Sequence, residues 1–203
     1  MPPIDRADDV EPLLRPAKVW GREEVLGRPS PVPAAPGVYA WYFDVPPAGV
    51  PIDDCHSPDA GHLLYVGISP KAPSKGPAAK PSRQSLRTRL RSHYRGNASQ
   101  STLRLTLGSL LADELGIALR RVGSGQRLTF ADGEATLNDW MSRHARVCWL
   151  ESPQPWLLES NLIATLTLPL NLDQNAHSGF RATLRARRAA QRQSARALPV
   201  VAR

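Results

Sequence analysis

The segment LLYVGIS at residues 63–69 decides the fold, together with the segment SLRTRLRSHY at residues 85–94. The first is apolar and rich in branched side chains, and a loop containing Pro, Lys and Gly follows it, which is typical of a β-strand. The second has an apolar residue at every fourth position, which indicates a helix: Leu86, Leu90 and Tyr94. Arg89 and His93 lie beside that stripe, one turn apart. The sequence therefore predicts a strand that brings a Tyr and a Gly to a helix carrying an Arg and a His.

The rest of the chain supplies partners for this strand and helix. Residues 37–43, GVYAWYF, predict a strand antiparallel to residues 63–69, and residues 146–150 predict a third strand. A helix is predicted to begin with Ser152 as its cap and Pro153 at its first position. Hydrophobic spacing and turn residues predict the remaining elements: helices over 101–115, 135–144 and 180–197, and a hairpin around 123–125. The pattern indicates an α/β domain.

Composition narrows the class of protein. The chain has 203 residues and a net charge of +8, which suits one domain with extensions, or at most two small ones. Such a charge favours a polyanionic partner, most often nucleic acid, and the alternative is a soluble basic protein without one. The two Cys residues make neither a disulfide framework nor a Cys-based zinc site. With no signal peptide or membrane span in the sequence, we expect a cytoplasmic protein, and the Ala- and Arg-rich composition suggests a bacterial source.

One acidic residue lies on an apolar helix face. The neighbours of Glu159 at i−3, i+3 and i+4 are all apolar: Trp156, Leu162 and Ile163. A buried, unpaired carboxylate is costly, so Glu159 needs a cation, a hydrogen-bond donor or a metal. Pairing with an Arg of the domain and a functional role are equally compatible with the sequence. Arg89 is the natural cation, and it either pairs with a carboxylate or binds a phosphate.

The other polar candidates each have an ordinary structural interpretation. His93 is a possible proton carrier, but a His near a core is more often simply hydrogen-bonded. Tyr39 and Tyr65 are most simply core aromatics, although on adjacent antiparallel strands both phenols can reach one face. Asn171, just past Pro169, can be a plain turn residue.

Taken together, the order and spacing of these residues resemble the GIY-YIG nuclease family. The motifs are GVY at 37–39, YVG at 65–67, the segment LRTRLRSH at 86–93, LLESNLI at 157–163, and PLN at 169–171, with twelve residues from Glu159 to Asn171. The resemblance covers about residues 37–171. It implies a compact α/β domain of the α+β type, with a small three-stranded antiparallel sheet flanked by helices.

The resemblance also implies an activity, the metal-dependent hydrolysis of phosphodiester bonds in DNA. Carried over by position, Glu159 binds one divalent ion, Mg²⁺ or Mn²⁺, and Arg89 holds the scissile phosphate. One of Tyr39 and Tyr65 deprotonates the attacking water and the other orients it, which requires a phenol of lowered pKa. His93 supports a Tyr or the phosphate, and Asn171 holds the site together. Other residues are expected to bind substrate: Gly67, Arg87, Arg91, Arg181, Arg185 and Arg188.

The chain departs from the family pattern in ways that bear on its substrate. Twenty-five residues separate Tyr39 from Tyr65, so residues 44–61 are an insertion, either a gate or, as we favour, a tolerated surface loop. We expect an N-terminal arm over residues 1–36, a catalytic domain over 37–175 and a basic helix or tail over 176–203, which from His177 onward contains no Asp or Glu. Such a tail either binds phosphates along a nucleic-acid backbone or is a solvated basic segment. The alternative to an endonuclease is a catalytically silent nucleic-acid-binding module that keeps the fold.

Overall fold

A three-stranded antiparallel sheet forms the centre of the molecule. The computed structural model describes residues 10–73 and 84–202. Strand β1 (Gly37–Phe43) lies between β2 (His62–Ser69) and the strand Ala145–Glu151, β5, and is antiparallel to both. Helices cover both faces of this sheet, and a separate two-stranded hairpin consists of β3 (Arg120–Val122) and β4 (Arg127–Thr129). The predicted fold class is therefore confirmed.

The helices follow one another along the chain in short segments. They are α1 (Glu11–Leu14), α2 (Arg22–Leu26), α3 (Leu86–Arg95), α4 (Thr102–Leu110), α5 (Ala112–Leu115), α6 (Gly133–His144), α7 (Pro155–Thr165) and α8 (Arg181–Ala197). Within the described residues, no helix is long and apolar enough to cross a membrane.

The central strand has no polar face because it is covered on both sides. All seven residues of β1 are buried. Tyr39, Trp41 and Phe43 pack in one core with apolar residues of α3, and the alternate residues pack in a second core with α7. Successive side chains of a strand point to opposite faces, so a strand between two helical layers reads as a continuous apolar run. This explains why the sequence GVYAWYF does not alternate between apolar and polar residues.

The start of α7 differs from the prediction. The helix begins at Pro155 with Gln154 as its cap residue, two residues later than the predicted start at Pro153. The backbone N–H of Ser152 still donates to the carbonyl of Pro36, so Ser152 continues the sheet pairing instead of capping a helix. A residue before Pro disfavours helical backbone, which places the boundary at Gln154.

Residues 10–36 pack against the domain and do not extend from it as an arm. Leu13 and Val25 are completely buried, and the Tyr42 hydroxyl donates to the Leu13 carbonyl. Trp20 exchanges two backbone hydrogen bonds with Val147, of 2.8 and 3.0 Å, along the outer edge of β5. The segment therefore covers an edge strand whose unpaired backbone groups need partners. Residues 1–9 of the predicted arm lie outside the described residues.

The C-terminal helix is also part of the body. α8 packs against α4 and β3, and it buries Leu184 and Ala195. The side chain of Gln191 accepts a hydrogen bond of 3.1 Å from the backbone N–H of Leu119. Removing α8 would therefore expose part of the core.

Candidate active site

A pocket of about 500 Å³ lies beside β2, the strand with a free edge. Strands β1 and β2, helices α3, α4, α7 and α8, and the loop after α7 all contribute to its wall. It gathers seven of the residues singled out in the sequence: Tyr39, Tyr65, Gly67, Arg89, Glu159, Asn171 and Arg188. Lys71 and Asp173 lie in the same wall.

The two phenols reach the pocket because of the strand register. Gly67 lies opposite Tyr39 and Tyr65 lies opposite Trp41, so both Tyr side chains project from the same face of the sheet. A Cβ atom at Gly67 would lie 2.5 Å from the Tyr39 hydroxyl oxygen and 2.7 Å from the ring carbon that bears it. Only glycine leaves room for the Tyr39 ring to cross β2 at this point.

His93 lies directly behind Tyr39 and is completely buried. Its Nε2 atom is 2.8 Å from the Tyr39 hydroxyl, and its Nδ1 atom is 2.7 Å from Oγ of Ser101. The Nε–H group of Arg89 donates to the same Tyr39 oxygen at 3.3 Å. Since Nε2 of His93 is the one acceptor that the described residues offer to the phenolic proton, we assign that proton as a donor to Nε2. The pKa of His93 is held well below its usual range by burial and by the nearby Arg89 and Arg104, so the ring is neutral.

The phenols of Tyr39 and Tyr65 do not have the lowered pKa that their predicted role requires. Burial raises the pKa of both side chains, and the nearby Arg89 only partly opposes the increase. The Tyr65 hydroxyl is 3.4 Å from Oγ1 of Thr102. In the protein alone both phenols are therefore neutral, and any proton that leaves a phenol needs an acceptor.

Glu159 faces the pocket, and within the described residues its carboxylate makes no hydrogen bond or ion pair. Arg89 donates from Nε to Tyr39 and from one terminal nitrogen to the carbonyl of Gln100, at 3.0 Å. Burial raises the pKa of Glu159 to about 7; Lys71 and Arg89 partly oppose this shift, and Asp173 adds to it. Of the two interpretations of this residue, pairing with an Arg is not what the structure shows.

Asn171 joins the loop after α7 to the free edge of β2. Its side-chain oxygen accepts from the backbone N–H of Val66, and its side-chain nitrogen donates to the Val66 carbonyl, both at 2.9 Å. The carboxamide thus satisfies one donor and one acceptor of an edge strand, as a neighbouring strand would. Asn175 in turn donates to the carbonyls of Leu168 and Asn171. These bonds fix the wall of the pocket that follows Glu159.

Four of the predicted substrate-binding arginines lie outside this pocket. Arg87 and Arg91 are on the other flank of α3, and the Nε–H group of Arg87 donates to the Val32 carbonyl at 2.7 Å. Arg181 and Arg185 line a separate shallow groove along α8, and Arg181 also donates to the carbonyl of Leu172 at 3.3 Å. On α3 helical spacing explains the separation, because Arg87 and Arg91 are each two residues from Arg89 and point to a different side of the helix. On α8 it does not, because Arg181 and Arg185 are seven and three residues from Arg188 and lie on the same face.

The insertion at residues 44–61 does not reach the pocket. It joins Phe43 to His62, at the end of the strand pair opposite Tyr39 and Gly67. His56 Nε2 lies 2.7 Å from the Leu14 carbonyl, and Asp44 pairs with His144 at 3.1 Å. No residue of the loop is in the pocket wall.

Sequence reasoning missed a buried ionic network behind His93. Arg104 is fully buried, and its Nε–H group donates to Glu134 at 2.9 Å. One terminal nitrogen donates to Asn138 at 2.7 Å and to the backbone carbonyl of His93 at 3.1 Å. The available signal was a single Arg among the apolar residues of α4, a position that must be paired if the helix is buried.

The structure thus defines a small α/β domain with a polar pocket at the edge of an antiparallel sheet. A model of the GIY-YIG catalytic domain matches residues 37–190, more than half of the chain, and the chain belongs to that family. The match extends past residue 175 into α8. Neither a comparison with curated proteins nor one with solved structures finds a significant match. Membership indicates nuclease activity in general, and with it nucleic-acid binding; nucleases of this family typically use divalent metals.

Proposed function

We propose that this protein is an endonuclease that hydrolyses phosphodiester bonds in DNA with a divalent metal ion, Mg²⁺ or Mn²⁺. The observation that carries the proposal is the unpaired carboxylate of Glu159 in the same pocket as the Arg89 guanidinium and two phenols. A carboxylate for a metal, a cation for a phosphate and a hydroxyl for a proton are the groups that phosphodiester hydrolysis needs.

The residues present fit one open metal site. Mg²⁺ is commonly bound by one or two carboxylates, with waters and substrate phosphates completing its shell. Glu159 supplies one free carboxylate, and in the described part of the chain no group of three or more His, Cys, Asp or Glu residues builds a closed cage. The bound ion polarises the phosphoryl oxygen and stabilises the leaving oxygen.

The remaining chemistry belongs to the side of the pocket around α3, called the α3 wall: Arg89, the two phenols and, behind them, His93. Arg89 binds an oxygen of the scissile phosphate with its free N–H groups and offsets the charge that develops there. Tyr39 is the phenol that acts on the attacking water, because bonds of 3.3 Å from Arg89 and 2.8 Å to Nε2 of His93 fix the position of its oxygen. Its deprotonation would rely on Arg89 and a bound metal ion, which favour the phenolate, because the low pKa of His93 makes that ring a poor proton acceptor. Tyr65 orients the water, and Asn171 holds the opposite wall in place.

The first test is a cleavage assay on supercoiled plasmid and on branched and single-stranded oligonucleotides, with Mg²⁺, Mn²⁺ or EDTA. We expect metal-dependent cutting that Glu159→Gln abolishes, a loss of at least about 10³-fold, while the variant stays folded and still binds DNA. Asp173→Asn is the matched control, since it neutralises the other carboxylate of the pocket and should keep most of the activity. Normal cutting by Glu159→Gln would rule out the metal assignment. Salt-sensitive binding without cutting on any substrate would favour the catalytically silent module.

A further inference from the structure

Arg188 is a buried cation that forms no ion pair with any residue in the described part of the chain. It lies on α8, is only 9% exposed, and lines the pocket. Its Nε atom has no hydrogen-bond partner, and among the described residues its guanidinium forms no ion pair. Burial of a charged group without compensation is costly, so such a residue is usually kept for a ligand that supplies the missing partner.

Arg104, a buried arginine with a structural role, differs from Arg188 in that its guanidinium is fully bonded. Arg104 is also buried, but it is bonded to Glu134, Asn138 and a backbone carbonyl. Two further arginines, Arg91 and Arg120, have an unpartnered Nε atom, but their side chains are half-exposed. Arg188 alone among these four combines burial, an unpartnered Nε and a place in the pocket.

The charges around Arg188 distinguish it from Arg89. Arg89 and Lys71 both act on the carboxylate of Glu159. Arg188 interacts electrostatically with Arg192, Asp173 and Tyr65. It lines the same pocket as Arg89 and Glu159 but from a different helix, α8, so a strand held at Arg89 can offer it a second phosphate.

We propose that Arg188 binds a non-scissile phosphate of the strand held in the pocket, which makes α8 part of the active site and not an accessory tail. The inference rests on the proposed function for its reaction, but the phosphate contact itself is measurable without cleavage. The ligand is a nucleic-acid backbone phosphate, because the helix that brings Arg188 to the pocket also carries Arg181 and Arg185 along a separate groove, which suits a chain of phosphates.

The test uses point variants of the full chain, since removing α8 would expose the core around Leu184. Binding of a labelled single-stranded oligonucleotide is measured in EDTA by fluorescence anisotropy over a range of salt concentrations. Arg188→Gln is expected to weaken binding about tenfold and to lower the salt slope by about 0.7, the value for one lost phosphate contact on a single strand. Arg187→Gln is the matched control, because Arg187 is adjacent on the helix but exposed and paired with Asp113 at 3.7 Å.

Thermal unfolding separates a binding role from a structural one. Arg188→Gln removes a buried charge that has no ion-pair partner, so its Tm in EDTA should equal or exceed that of the wild type. Inorganic phosphate, the second probe, should raise the wild-type Tm more than that of the variant. Unchanged oligonucleotide affinity and salt slope in Arg188→Gln would overturn the inference, as would a lower Tm with normal binding. If phosphate protects the wild type but the oligonucleotide binds both proteins equally, the site takes free phosphate and the inference also fails.

The outcomes for this inference and for the proposed function are distinguishable. A wild-type protein that never cuts, but whose oligonucleotide affinity depends on Arg188, would refute the nuclease and keep the phosphate contact. If cleavage requires Glu159, and neither cleavage nor binding depends on Arg188, the nuclease would be supported and the phosphate contact refuted. Because Arg188 is assigned to a non-reacting phosphate, Arg188→Gln should raise KM more than it lowers kcat.

Discussion

The two walls of the pocket are built on different principles. On the α3 wall each polar group has a partner: Arg89 bonds to Tyr39, Tyr39 to His93, and His93 to Ser101. On the α7 and α8 wall, Glu159 and Arg188 face the pocket without an ion pair in the described part of the chain. A bonded network fixes geometry before a ligand arrives, whereas unpaired charges are satisfied only by the ligand. Under the proposed function, the first wall would position the reacting groups, and the second, the recruiting wall, would bind the metal and a further phosphate.

If this division is correct, the largest loss on the α3 wall comes from removing its cation. Arg89→Ala should lower kcat about 10²- to 10³-fold with a smaller effect on KM, because the guanidinium offsets charge that develops during the reaction. Arg87→Ala is the control on the same helix, since that side chain points away and bonds to Val32. Steady-state cleavage of a labelled oligonucleotide measures both. If Arg89→Ala raised KM without lowering kcat, Arg89 would only bind substrate, as Arg188 is proposed to do, and the two walls would not differ in function.

The sequence predicted most of the residues of the pocket but not their detailed arrangement. The strands, α3 and the pocket residues Tyr39, Tyr65, Arg89 and Glu159 follow from local patterns and motifs, whereas the register that sets Tyr39 against Gly67 is a property of the assembled sheet. The pocket position of Arg188 follows from how α8 docks on α4, and nothing local separates this residue from Arg181 or Arg185. The raised pKa of each phenol likewise depends on burial in the assembled core. Local periodicity predicts elements, and it does not predict which side chain a docked helix presents.

The pairing at the outer edge of β5 is a second feature that local sequence patterns did not predict. The Pro-rich segment before β1 was interpreted mostly as an arm, yet Trp20 pairs with Val147 and its ring stacks on Trp149 at 5.5 Å. A single bridging residue leaves no strand-length pattern in the sequence. What required a partner was the exposed edge of β5, a property of the finished sheet.

A smaller effect tests whether His93 positions Tyr39. His93→Gln keeps a polar group near the Tyr39 hydroxyl but does not hold that hydroxyl at the same point, so cleavage should fall by up to about 10²-fold. Because the pKa of His93 lies well below its usual range, the wild-type imidazole signals should not titrate between about pH 6 and pH 8 in an NMR experiment. If His93→Gln cleaved at a near-normal rate, the role of His93 would be limited to packing in the core.

The smallest effect concerns stability and isolates the charge of Glu159. Its pKa is raised from 4.5 to about 7 in the folded protein, so the folded state binds more protons than the unfolded state between these values. Stability from this group is therefore present below about pH 4.5 and is lost as the pH rises towards 7. Glu159→Gln lacks that loss, so its Tm should exceed the wild-type value increasingly from pH 4.5 to 7 and by a constant amount above.

The expected difference is on the order of 1 kcal/mol after allowance for solvent screening at a half-buried group, or about 2–4 °C in Tm for a chain of this size. Differential scanning fluorimetry in EDTA measures it, and Asp173→Asn serves as the comparison from the same wall. Adding Mg²⁺ at pH 8 should raise the Tm of the wild type and narrow its gap to Glu159→Gln, because binding to the folded state offsets the unpaired charge. A difference that is independent of pH, or a Mg²⁺ effect of equal size in both proteins, would mean that Glu159 is not an unpaired charge waiting for a cation, and the recruiting wall would then consist of Arg188 alone.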